Sequence, residues 1–470
     1  MARSATEAPR RATNGTATRP KRAIRDLQSA VEYIDSLVNY EKQAWVDYKR
    51  KKYSLARMSC LLSALGNPQK KFRSVHIAGT KGKGSTCAML GAMVSNCGYT
   101  VGVYGSPHVR TVRERIQVNG ELISDDDFAA CIAATAAAAR KPRVGTPTYF
   151  EVLTAAAFRH FADVGADLAV VEVGMGGRLD ATNTIQPEVV GFTSISYDHQ
   201  EQLGNTLSLI AREKAGIMKP GVLAFSAPQV KEVRAVLKQA ADELEIPLKF
   251  TGEDVEFSLR FEASRGIGRH TRLCLTTPSS KFEHLHVPLL GEHQAINCGL
   301  ALSIVDALKS RGFTLDDQRV MDGLAHVKVP GRMEIIREKP RILVDVAHNA
   351  ASVNALMRAI GQNVIADSMV VIFGCQKHKD IRGMIRGIQL GADKIIFTRT
   401  SSPRSADPHD LAAEYLEQCG RVGQVTESLE EAMDIALSAV SREDLICITG
   451  SFYLIAEAVR KYSEPQPAGV

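Results

Sequence analysis

The sequence predicts an α/β fold with two domains, each built on a parallel sheet covered by helices. From Val75 onward, short β-branched segments alternate with longer segments of helical periodicity, which is typical of parallel strands joined by helical crossovers. A chain of 470 residues is also longer than one hydrophobic core usually supports. Hydrophobic residues at 45% and charged residues at 23% are ordinary for a globular protein.

The first sheet is predicted from four apolar segments: SVHIAG, TVGVYGS, DLAVVEVG and EVVGFTSIS. Helices are expected from about Thr86, near 124–140 and over 150–164. Between about 248 and 288, alternating segments such as EFSLRFEA and TRLCLTT predict an antiparallel excursion at the edge of this domain. Ligands of such a parallel sheet bind at the carboxyl ends of its strands.

A second strand and helix series follows a predicted helix over 295–311 and the turn-rich segment KVPGRME. Its strands are RILVDVAH, SMVVIFG, DKIIFTR and DLICITGS, each continuous and apolar, as buried parallel strands are. We therefore predict a first domain over residues 26–326, a hinge at 327–331 and a smaller α/β domain over 332–462. Short tails at 1–25 and 463–470 complete the chain.

The basic residues are concentrated at the start of the chain. The net charge is +6, and much of the excess lies in residues 1–25, where Glu7 is the single acid. Because this segment has no apolar periodicity, we expect disorder; a targeting peptide is the alternative. The near-neutral remainder disfavours nucleic-acid binding.

Other whole-chain features predict a cytoplasmic protein without a membrane partner. No apolar run reaches the roughly eighteen residues that indicate a membrane span. Nine scattered cysteines with no C-x-x-C pair predict reduced thiols, and no signal-peptide core is present.

The segment GTKGKGS, residues 79–85, follows the first predicted strand and precedes a helix. Backbone N–H groups at a helix N-terminus favour anions, and Lys83 adds a compact positive charge, so the segment predicts a phosphate-binding loop. However, Gly84 departs from the usual G-x-x-x-x-G-K-[ST] spelling. A glycine-rich turn capped by Ser85 is the alternative.

Three further polar residues follow or lie near the ends of predicted elements. Glu172 ends an apolar strand and could hold Mg²⁺ at the carboxyl edge of the sheet, or could pair with Arg178. His199 follows the next strand and is either a metal ligand or a structural histidine. Lys214, in IAREKAG, could simply belong to an exposed charged helix face.

Nine ordered motifs resemble the folylpolyglutamate synthase and dihydrofolate synthase family of the Mur ligase superfamily, over the chain from Tyr33 to Ala458. The motifs are GTKGKGS, SPHVRTVRERIQVNG, TYFEVLTAAAF, EVGMGGRLDATN, the DH of SYDHQ, IAREKAGIMKPG, EHQAIN, PGRMEII and DVAHN. The resemblance implies a Mur-ligase-like P-loop ATPase domain with a parallel sheet and a smaller C-terminal Rossmann-like domain. In that family, G-K-G-S is the normal spelling of the loop.

The resemblance further implies an ATP site shared by the two domains. Lys83, Lys214 and His348 match catalytic positions, with His348 near the transferred phosphoryl group. Arg332 and Asp345 could instead form a salt bridge at the hinge. The implied ATP-binding residues are Gly79, Thr80, Gly82, Lys83, Gly84, Ser85, Asn297, Arg332 and Asp345.

Two Mg²⁺ ions are implied by the resemblance, with K⁺ as a further candidate cation. Ser106, Glu172 and His199 match the family's magnesium ligands. Lys214 matches a lysine that is carbamylated in relatives, and a carbamate would turn this cation into an anionic oxygen ligand.

Pterin recognition is implied for the segments TYFE and LDA, because an aromatic pair with a carboxylate suits a flat heterocycle. Tyr149 or Phe150 alone could equally be a core aromatic at the start of a helix. The loop over 106–120 resembles a folate-covering loop whose arginines hold carboxylates. The implied pterin residues are Thr148, Tyr149, Phe150, Glu151, Leu179, Asp180 and Ala181.

The activity implied by the resemblance is ATP-dependent ligation of L-glutamate through an acyl phosphate. TYFE and RLDATN resemble the bifunctional bacterial enzymes, which favours use of both dihydropteroate and reduced folates over polyglutamylation alone. The implied partners are small molecules, and the implied state is a monomer. Two residues depart from the family pattern: Ala350 replaces a common proline, and His378 replaces an acidic residue where incoming glutamate is expected to bind.

Other functions remain open from the sequence. A cell-wall Mur ligase usually carries an additional N-terminal domain, yet the predicted body starts shortly before the phosphate loop. A regulatory GTPase or nucleic-acid ATPase could use the same loop, but no N-K-x-D guanine motif occurs. An inactive scaffold is disfavoured by the presence of Lys83, Glu172, His199 and Lys214.

Overall fold

A computed structural model describes residues 23–41, 54–264 and 268–464. Most of the predicted disordered tail over 1–25 and residues 465–470 of the C-terminal tail lie outside these ranges. The described part contains two parallel sheets with helices on both faces, which confirms the predicted fold class. The predicted domain boundaries stay a prediction.

The first sheet has eight strands: β1 (Arg73–Ala78), β2 (Val101–Tyr104), β3 (Ile116–Val118), β4 (Glu121–Leu122), β5 (Leu168–Glu172), β6 (Val189–Phe192), β7 (Leu223–Ser226) and β8 (Leu248–Phe250). Their order is β4-β3-β2-β5-β1-β6-β7-β8. The pairs from β2 to β8 are parallel, whereas β3 and β4 form an antiparallel edge. Every residue of β5 is buried, as its continuous apolar sequence predicts.

The helices around this sheet are α1 (Leu27–Asp35), α2 (Leu55–Ala64), α3 (Lys83–Asn96), α4 (Asp125–Ala139), α5 (Tyr149–Asp163), α6 (Gln200–Leu203), α7 (Leu207–Ala215), α8 (Lys231–Glu243), α9 (Glu292–Ser310) and α10 (Asp317–Ala325). One face of the sheet packs on α3, α9 and α10, and the opposite face packs on α4 and α5. Short 3₁₀ turns lie at Pro68–Lys70, Val112–Arg115 and Ala181–Thr184.

Two predicted boundaries were wrong. Helix α3 begins at Lys83 and not near Thr86, because Gly82 adopts a left-handed conformation (φ +84°) that turns the loop directly into the helix. The antiparallel excursion is confirmed as a three-stranded sheet of β9 (Glu256–Ser264), β10 (Gly268–Thr276) and β11 (Lys281–Val287). However, β8, placed in the excursion from the sequence, pairs in parallel with β7 because α8 provides the crossover.

The second sheet has six strands: β12 (Glu334–Glu338), β13 (Arg341–Asp345), β14 (Met369–Phe373), β15 (Lys394–Phe397), β16 (Gln424–Val425) and β17 (Leu445–Thr449). Their order is β12-β13-β17-β14-β15-β16, with β12 antiparallel at one edge. Its helices are α11 (Ala350–Asn363), α12 (Ile381–Ile388), α13 (Pro408–Cys419), α14 (Leu429–Ala439) and α15 (Phe452–Tyr462). Alternate strand residues enter two cores, one beneath α11 to α13 and one beneath α14 and α15.

Two whole-chain expectations can be compared with the described residues. All nine cysteines lie in this part of the chain and are free, as predicted. Within the same ranges, no helix combines the length and apolar character needed to cross a bilayer.

Phe397→Ala should destabilise the second domain by about 3–5 kcal/mol, because it removes a large side chain from a closed core. Phe397 is 0% exposed and packs its ring against Phe373 and Tyr415. Val422→Ala is the control, since Val422 is 86% exposed. Urea unfolding followed by circular dichroism measures both variants. Equal midpoints for Phe397→Ala and Val422→Ala would contradict this packing.

Candidate functional site

A cleft with a volume of about 1070 Å³ lies where the carboxyl ends of the two sheets face each other. Both sheets contribute, because the loops after β1, β5 and β6 meet the loops after β13, β14 and β17. Every site residue predicted from the sequence lines this cleft. The structure therefore brings together residues that are up to 269 positions apart, from Gly79 to His348.

The phosphate loop is packed so closely that two of its residues must be glycine. A Cβ atom on Gly79 would lie 1.8 Å from Thr193 Oγ1, and one on Gly82 would lie 2.2 Å from Asn297 Oδ1. The backbone amide of Thr80 donates to Ser194 O at 2.9 Å, which fixes the loop to the end of β6. The loop therefore contacts β6 and α9 as well as β1 and α3, which it joins.

The unusual Gly84 leaves space between the first turn of α3 and Glu172. A Cβ atom there would reach ordinary contact distance, 3.4 Å, from Glu172 Oε2. The neighbouring hydroxyl of Ser85 is buried and has no hydrogen-bond partner in the part of the chain that the structure describes. A buried hydroxyl beside a carboxylate, at a helix N-terminus, suits a phosphate or an oxygen-liganded cation.

Glu172 contacts the loop and not Arg178. Its Oε1 lies 3.9 Å from Lys83 Nζ, and its Oε2 accepts a hydrogen bond from Ser106 N at 3.1 Å. Arg178 pairs with Glu213 at 2.8 Å, so the alternative of a Glu172–Arg178 pair is wrong. Burial raises the pKa of Glu172, and Lys83 opposes this rise.

Lys214 is buried, which excludes the interpretation of REKAG as a uniformly exposed charged face. Its side chain is 5% exposed, and Nζ donates to Gly79 O at 2.7 Å beneath the phosphate loop. Burial, followed by the nearby charge of Lys83, lowers the pKa of Lys214 to about 7. Arg212, two residues earlier, is exposed.

The four predicted metal ligands are not equally close to one another. Ser106 and Glu172 are in contact through a hydrogen bond. His199 adopts a left-handed conformation (φ +50°), and its side chain is exposed to the cleft. Among the described residues, no hydrogen bond or ion pair joins His199 or Lys214 to the other two, and no three His, Cys, Asp or Glu side chains are grouped as a metal site.

Asp198 connects the two sides of the cleft through charge. Its Oδ1 lies 2.6 Å from Lys379 Nζ, and its Oδ2 lies 3.5 Å from His348 Nε2. Desolvation raises the pKa of Asp198, but His199, His348 and Lys379 together hold it well below the usual range. The carboxylate is therefore ionised near neutral pH.

Asp345 is held by backbone amides. It accepts hydrogen bonds from Met333 N at 2.9 Å and Ala347 N at 2.8 Å. Within the described ranges no ion pair joins it to Arg332, so the alternative of a hinge salt bridge is not observed. The guanidinium of Arg332 lies over the ring of Phe452, 5.4 Å from its centroid.

The predicted pterin residues form one wall, where three of them organise the backbone. Thr148 caps α5, and Glu151 completes the capping box by accepting from Thr148 N at 2.7 Å. Asp180 accepts from Met175 N and Thr182 N, which shapes the turn that carries Leu179 and Ala181. The aromatic side chains differ: Tyr149 is buried in the core and Phe150 is half-buried, although both line the cleft.

The arginines of the loop over 106–120 pair with carboxylates, as expected. These carboxylates are side chains of the protein. Arg110 pairs with Glu334, Arg113 with Asp125 and Arg115 with Glu41, at 2.5, 2.9 and 2.7 Å. Arg115 is buried despite its charge. The backbone oxygen of Glu41 in turn accepts from Arg404 and Tyr453 of the second domain.

The two departures from the family pattern have clear positions. Ala350 is the first residue of α11, a position where proline is favoured for its φ but is not required. His378 lines the cleft beside Lys379.

Lys379 and Arg57 line the cleft but were not predicted from the sequence, whereas Arg115 belongs to the loop whose arginines were expected to hold carboxylates. Lys379 had a usable signal, because it follows strand β14 at the same sheet edge as the other site residues. Arg57 had none, since its partner Glu151 is distant in sequence. Likewise, the sequence did not identify Glu41 as the partner of Arg115.

Two domain families match most of the chain. The Mur ligase middle domain matches residues 77–305, and the Mur ligase glutamate ligase domain matches residues 331–452. A dihydrofolate synthase/folylpolyglutamate synthase of Bacillus subtilis (strain 168) is 33% identical over 90% of this chain and 98% of the relative. The chain belongs to the folylpolyglutamate synthase and dihydrofolate synthase family.

Solved structures of this family share the fold. A Mycobacterium tuberculosis folylpolyglutamate synthase complexed with ADP is 33% identical, with a TM-score of 0.84 over 94% of this chain and 99% of that chain. A bifunctional folylpolyglutamate synthase/dihydrofolate synthase from Yersinia pestis, complexed with AMPPNP and Mn ion, is 27% identical, with a TM-score of 0.77 over 93% and 97%. The predicted Mur-ligase-type architecture is therefore confirmed.

Lys379→Met should loosen the contact across the cleft, because it leaves the Asp198 carboxylate without its closest cation. Truncating one partner of a buried charge pair typically costs about 2–5 kcal/mol. Amide hydrogen exchange over 194–203 and 374–380 should accelerate, whereas Lys394→Met, at an exposed position on β15, should leave it unchanged. Unaltered exchange in Lys379→Met would show that the contact does not hold the two sides together.

The pH dependence of this contact follows from the depressed pKa of Asp198. A depressed carboxyl pKa contributes stability that is present above the unfolded value near 4 and is lost as the pH falls through the folded value. The protection of these amides, which is their exchange rate relative to the intrinsic rate at the same pH, should therefore stay high at neutral pH and fall only below about pH 4.

Proposed function

We propose that the chain is an ATP-dependent ligase that joins L-glutamate to dihydropteroate, forming dihydrofolate, and to the γ-carboxylate of tetrahydrofolates. One observation carries this proposal: the phosphate loop with Lys83 and the wall with Tyr149 and Phe150 line the same cleft. The names of the Bacillus and Yersinia relatives cover both activities, which supports the bifunctional assignment over polyglutamylation alone. Family membership also disfavours a regulatory or nucleic-acid NTPase.

The reaction needs no side-chain nucleophile. A carboxylate oxygen of the pterin substrate takes the γ-phosphoryl group of ATP, which gives an acyl phosphate and ADP. The amine of L-glutamate then attacks the acyl carbon, an amide bond forms, inorganic phosphate leaves, and the amine proton passes to solvent. The protein contributes mainly orientation and charge neutralisation.

The phosphate loop provides the ATP-binding side of this reaction. The amides of Gly82, Gly84 and Ser85 at the start of α3 suit phosphate oxygens, and Lys83 adds a positive charge beside Glu172. Asn297 lies against Gly82 from α9 and suits a contact near the adenine. Gly79 and Thr80 complete the loop.

The donor set fits Mg²⁺, the oxygen-preferring ion implied by the family. The carboxylate of Glu172 and the hydroxyls of Ser85 and the nearby Ser106 are hard oxygen donors, and the hydroxyl of Ser85 has no partner among the described residues. Ser106, Glu172 and His199 would hold Mg²⁺, with a carbamylated Lys214 at a second ion and K⁺ as a further cation. The ions would supply charge neutralisation at the ATP phosphates.

The second domain closes the site. Asp345 and Arg332 are proposed ATP contacts, and His348 is proposed to lie near the transferred phosphoryl group. Its position 3.5 Å from Asp198 supports this, because closure across the cleft brings it to the loop side. Closure about a hinge at 327–331 would exclude water, which otherwise hydrolyses an acyl phosphate.

The remaining proposals concern the protein's surroundings. We propose a cytoplasmic monomer whose partners are ATP, L-glutamate, dihydropteroate and reduced folates, with no nucleic-acid or membrane partner. The division into domains at 26–326 and 332–462 is part of the same proposal.

Purified protein with ATP, Mg²⁺, L-glutamate and dihydropteroate should release ADP and phosphate and form dihydrofolate, measured by chromatography with mass detection. Tetrahydrofolate in place of dihydropteroate should gain glutamate residues. Elongation of tetrahydrofolate alone would leave only the polyglutamylation activity. Lys83→Met should reduce turnover by about a hundredfold to a thousandfold, in the range of other lost electrostatic contacts. Lys238→Met, at an exposed position on α8, is the matched control.

Activity should depend on dissolved carbon dioxide if Lys214 is carbamylated. Its burial beneath Gly79 and its lowered pKa favour the neutral amine that reacts with carbon dioxide. Enzyme depleted of carbon dioxide should lose activity and regain it with bicarbonate, and Lys214→Gln should lose both the activity and the response. Full activity of the depleted wild type would exclude the carbamate.

A further inference from the structure

Arg57 lies between the two segments proposed to bind the pterin, and neither the sequence motifs nor the family resemblance assigned it a role. Helix α2, which carries Arg57, packs against α5 and against the turn Ala181–Thr184. The Arg57 side chain is 30% exposed and lines the cleft together with Phe150 and Leu179. Its guanidinium is therefore at the pterin end of the site.

Glu151, the carboxylate assigned to the pterin, is already engaged by the chain. Its Oε1 accepts from Arg57 Nε at 3.0 Å, and its Oε2 accepts from Arg57 Nε at 2.8 Å and from Thr148 N at 2.7 Å. The carboxylate is 9% exposed. A carboxylate offers about four acceptor positions, and these contacts use three of them. Glu151 has little capacity left for a ligand.

The guanidinium of Arg57 has the opposite property. A guanidinium has five N–H donors, and Nε uses one of them on Glu151. Within residues 23–41, 54–264 and 268–464, neither Nη atom has a hydrogen-bond partner. Neither of them is a buried atom, so both are accessible from the cleft. Four donors therefore remain for a ligand.

The chemistry of these donors suits one edge of a pterin. The fused ring presents a carbonyl oxygen and a neighbouring ring nitrogen, which are acceptors with a spacing that a planar fork of donors can meet. The ion pair of Arg57 with Glu151 has no net charge as a whole, which suits a neutral heterocycle.

We infer that Arg57 is a pterin-binding residue and that Glu151 is the positioning residue that orients it. This inference rests on the proposed function, because it assumes a pterin substrate. Thr148 belongs to the same arrangement, since its cap of α5 fixes the carboxylate that holds the guanidinium.

Arg57→Gln tests this assignment directly. The Kd for dihydropteroate, measured by titration calorimetry with ADP present, should rise at least about tenfold, one lost interaction of about 1.4 kcal/mol. The KM for dihydropteroate should rise in parallel, while the KM values for ATP and L-glutamate and the melting temperature change little. Arg159→Gln is the matched control, because Arg159 loses an ion pair with Asp163 on the exposed face of α5, outside the cleft.

Glu151→Gln separates a positioning role from direct contact. If Glu151 acts through Arg57, its variant raises the Kd less than Arg57→Gln does, and the double variant matches Arg57→Gln alone. Multiplying effects, or a larger effect of Glu151→Gln, would assign the contact to Glu151 and overturn the inference. An unchanged Kd in Arg57→Gln would show that Arg57 does not bind the pterin. A fall in melting temperature with all three KM values raised alike would show that the Arg57–Glu151 ion pair has only a structural role.

The binding measurement by calorimetry separates a failure of this inference from a failure of the proposed function. A wild type that binds dihydropteroate but forms no dihydrofolate contradicts the activity and still allows the Kd comparison. A wild type that binds neither dihydropteroate nor tetrahydrofolate contradicts both.

Discussion

The structure depends on the close packing of one loop. Gly79 and Gly82 have no room for a Cβ atom, because Thr193 and Asn297 occupy that space. The loop therefore fixes β6 and α9 relative to the start of α3, and the donors of the helix N-terminus point into the cleft. Lys214, which donates to Gly79 O from beneath, makes α7 part of the same packing.

Charge in the cleft is balanced in two ways, within the first sheet and across the two sheets. Glu172 faces Lys83 on the first sheet, whereas Asp198 of the first domain reaches Lys379 and His348 of the second. Each carboxylate is buried and would be unfavourable alone, so each needs a cation close by. Because the cation that contacts Asp198 follows a strand of the second sheet, neutralisation of this carboxylate needs both sides of the cleft.

The sequence predicted most strands of both sheets, because their segments are continuous and apolar. Such segments are buried whichever residues distant in sequence pack against them. It erred at two boundaries, where the left-handed Gly82 starts α3 early and where β8 joins the parallel sheet. The motif residues were all located in one cleft, since motifs at strand ends share a sheet edge. Contacts between distant residues, such as Arg57 with Glu151, could not be predicted because neither partner carries a local signal of the other.

By itself, the sequence determined the fold class, the order of the strands along the chain and the family, because periodicity and ordered motifs are local properties of the chain. The tertiary structure alone decided which charges meet. Glu172 faces Lys83 and not Arg178, Lys214 is buried beneath the loop, and Asp198 is bound by the second domain. Which charges pair depends on their distance and burial in the folded protein. Local patterns in the sequence do not give these quantities. The glycine at position 84 is a further example. Its position next to Glu172, a residue distant in sequence, is given only by the tertiary structure.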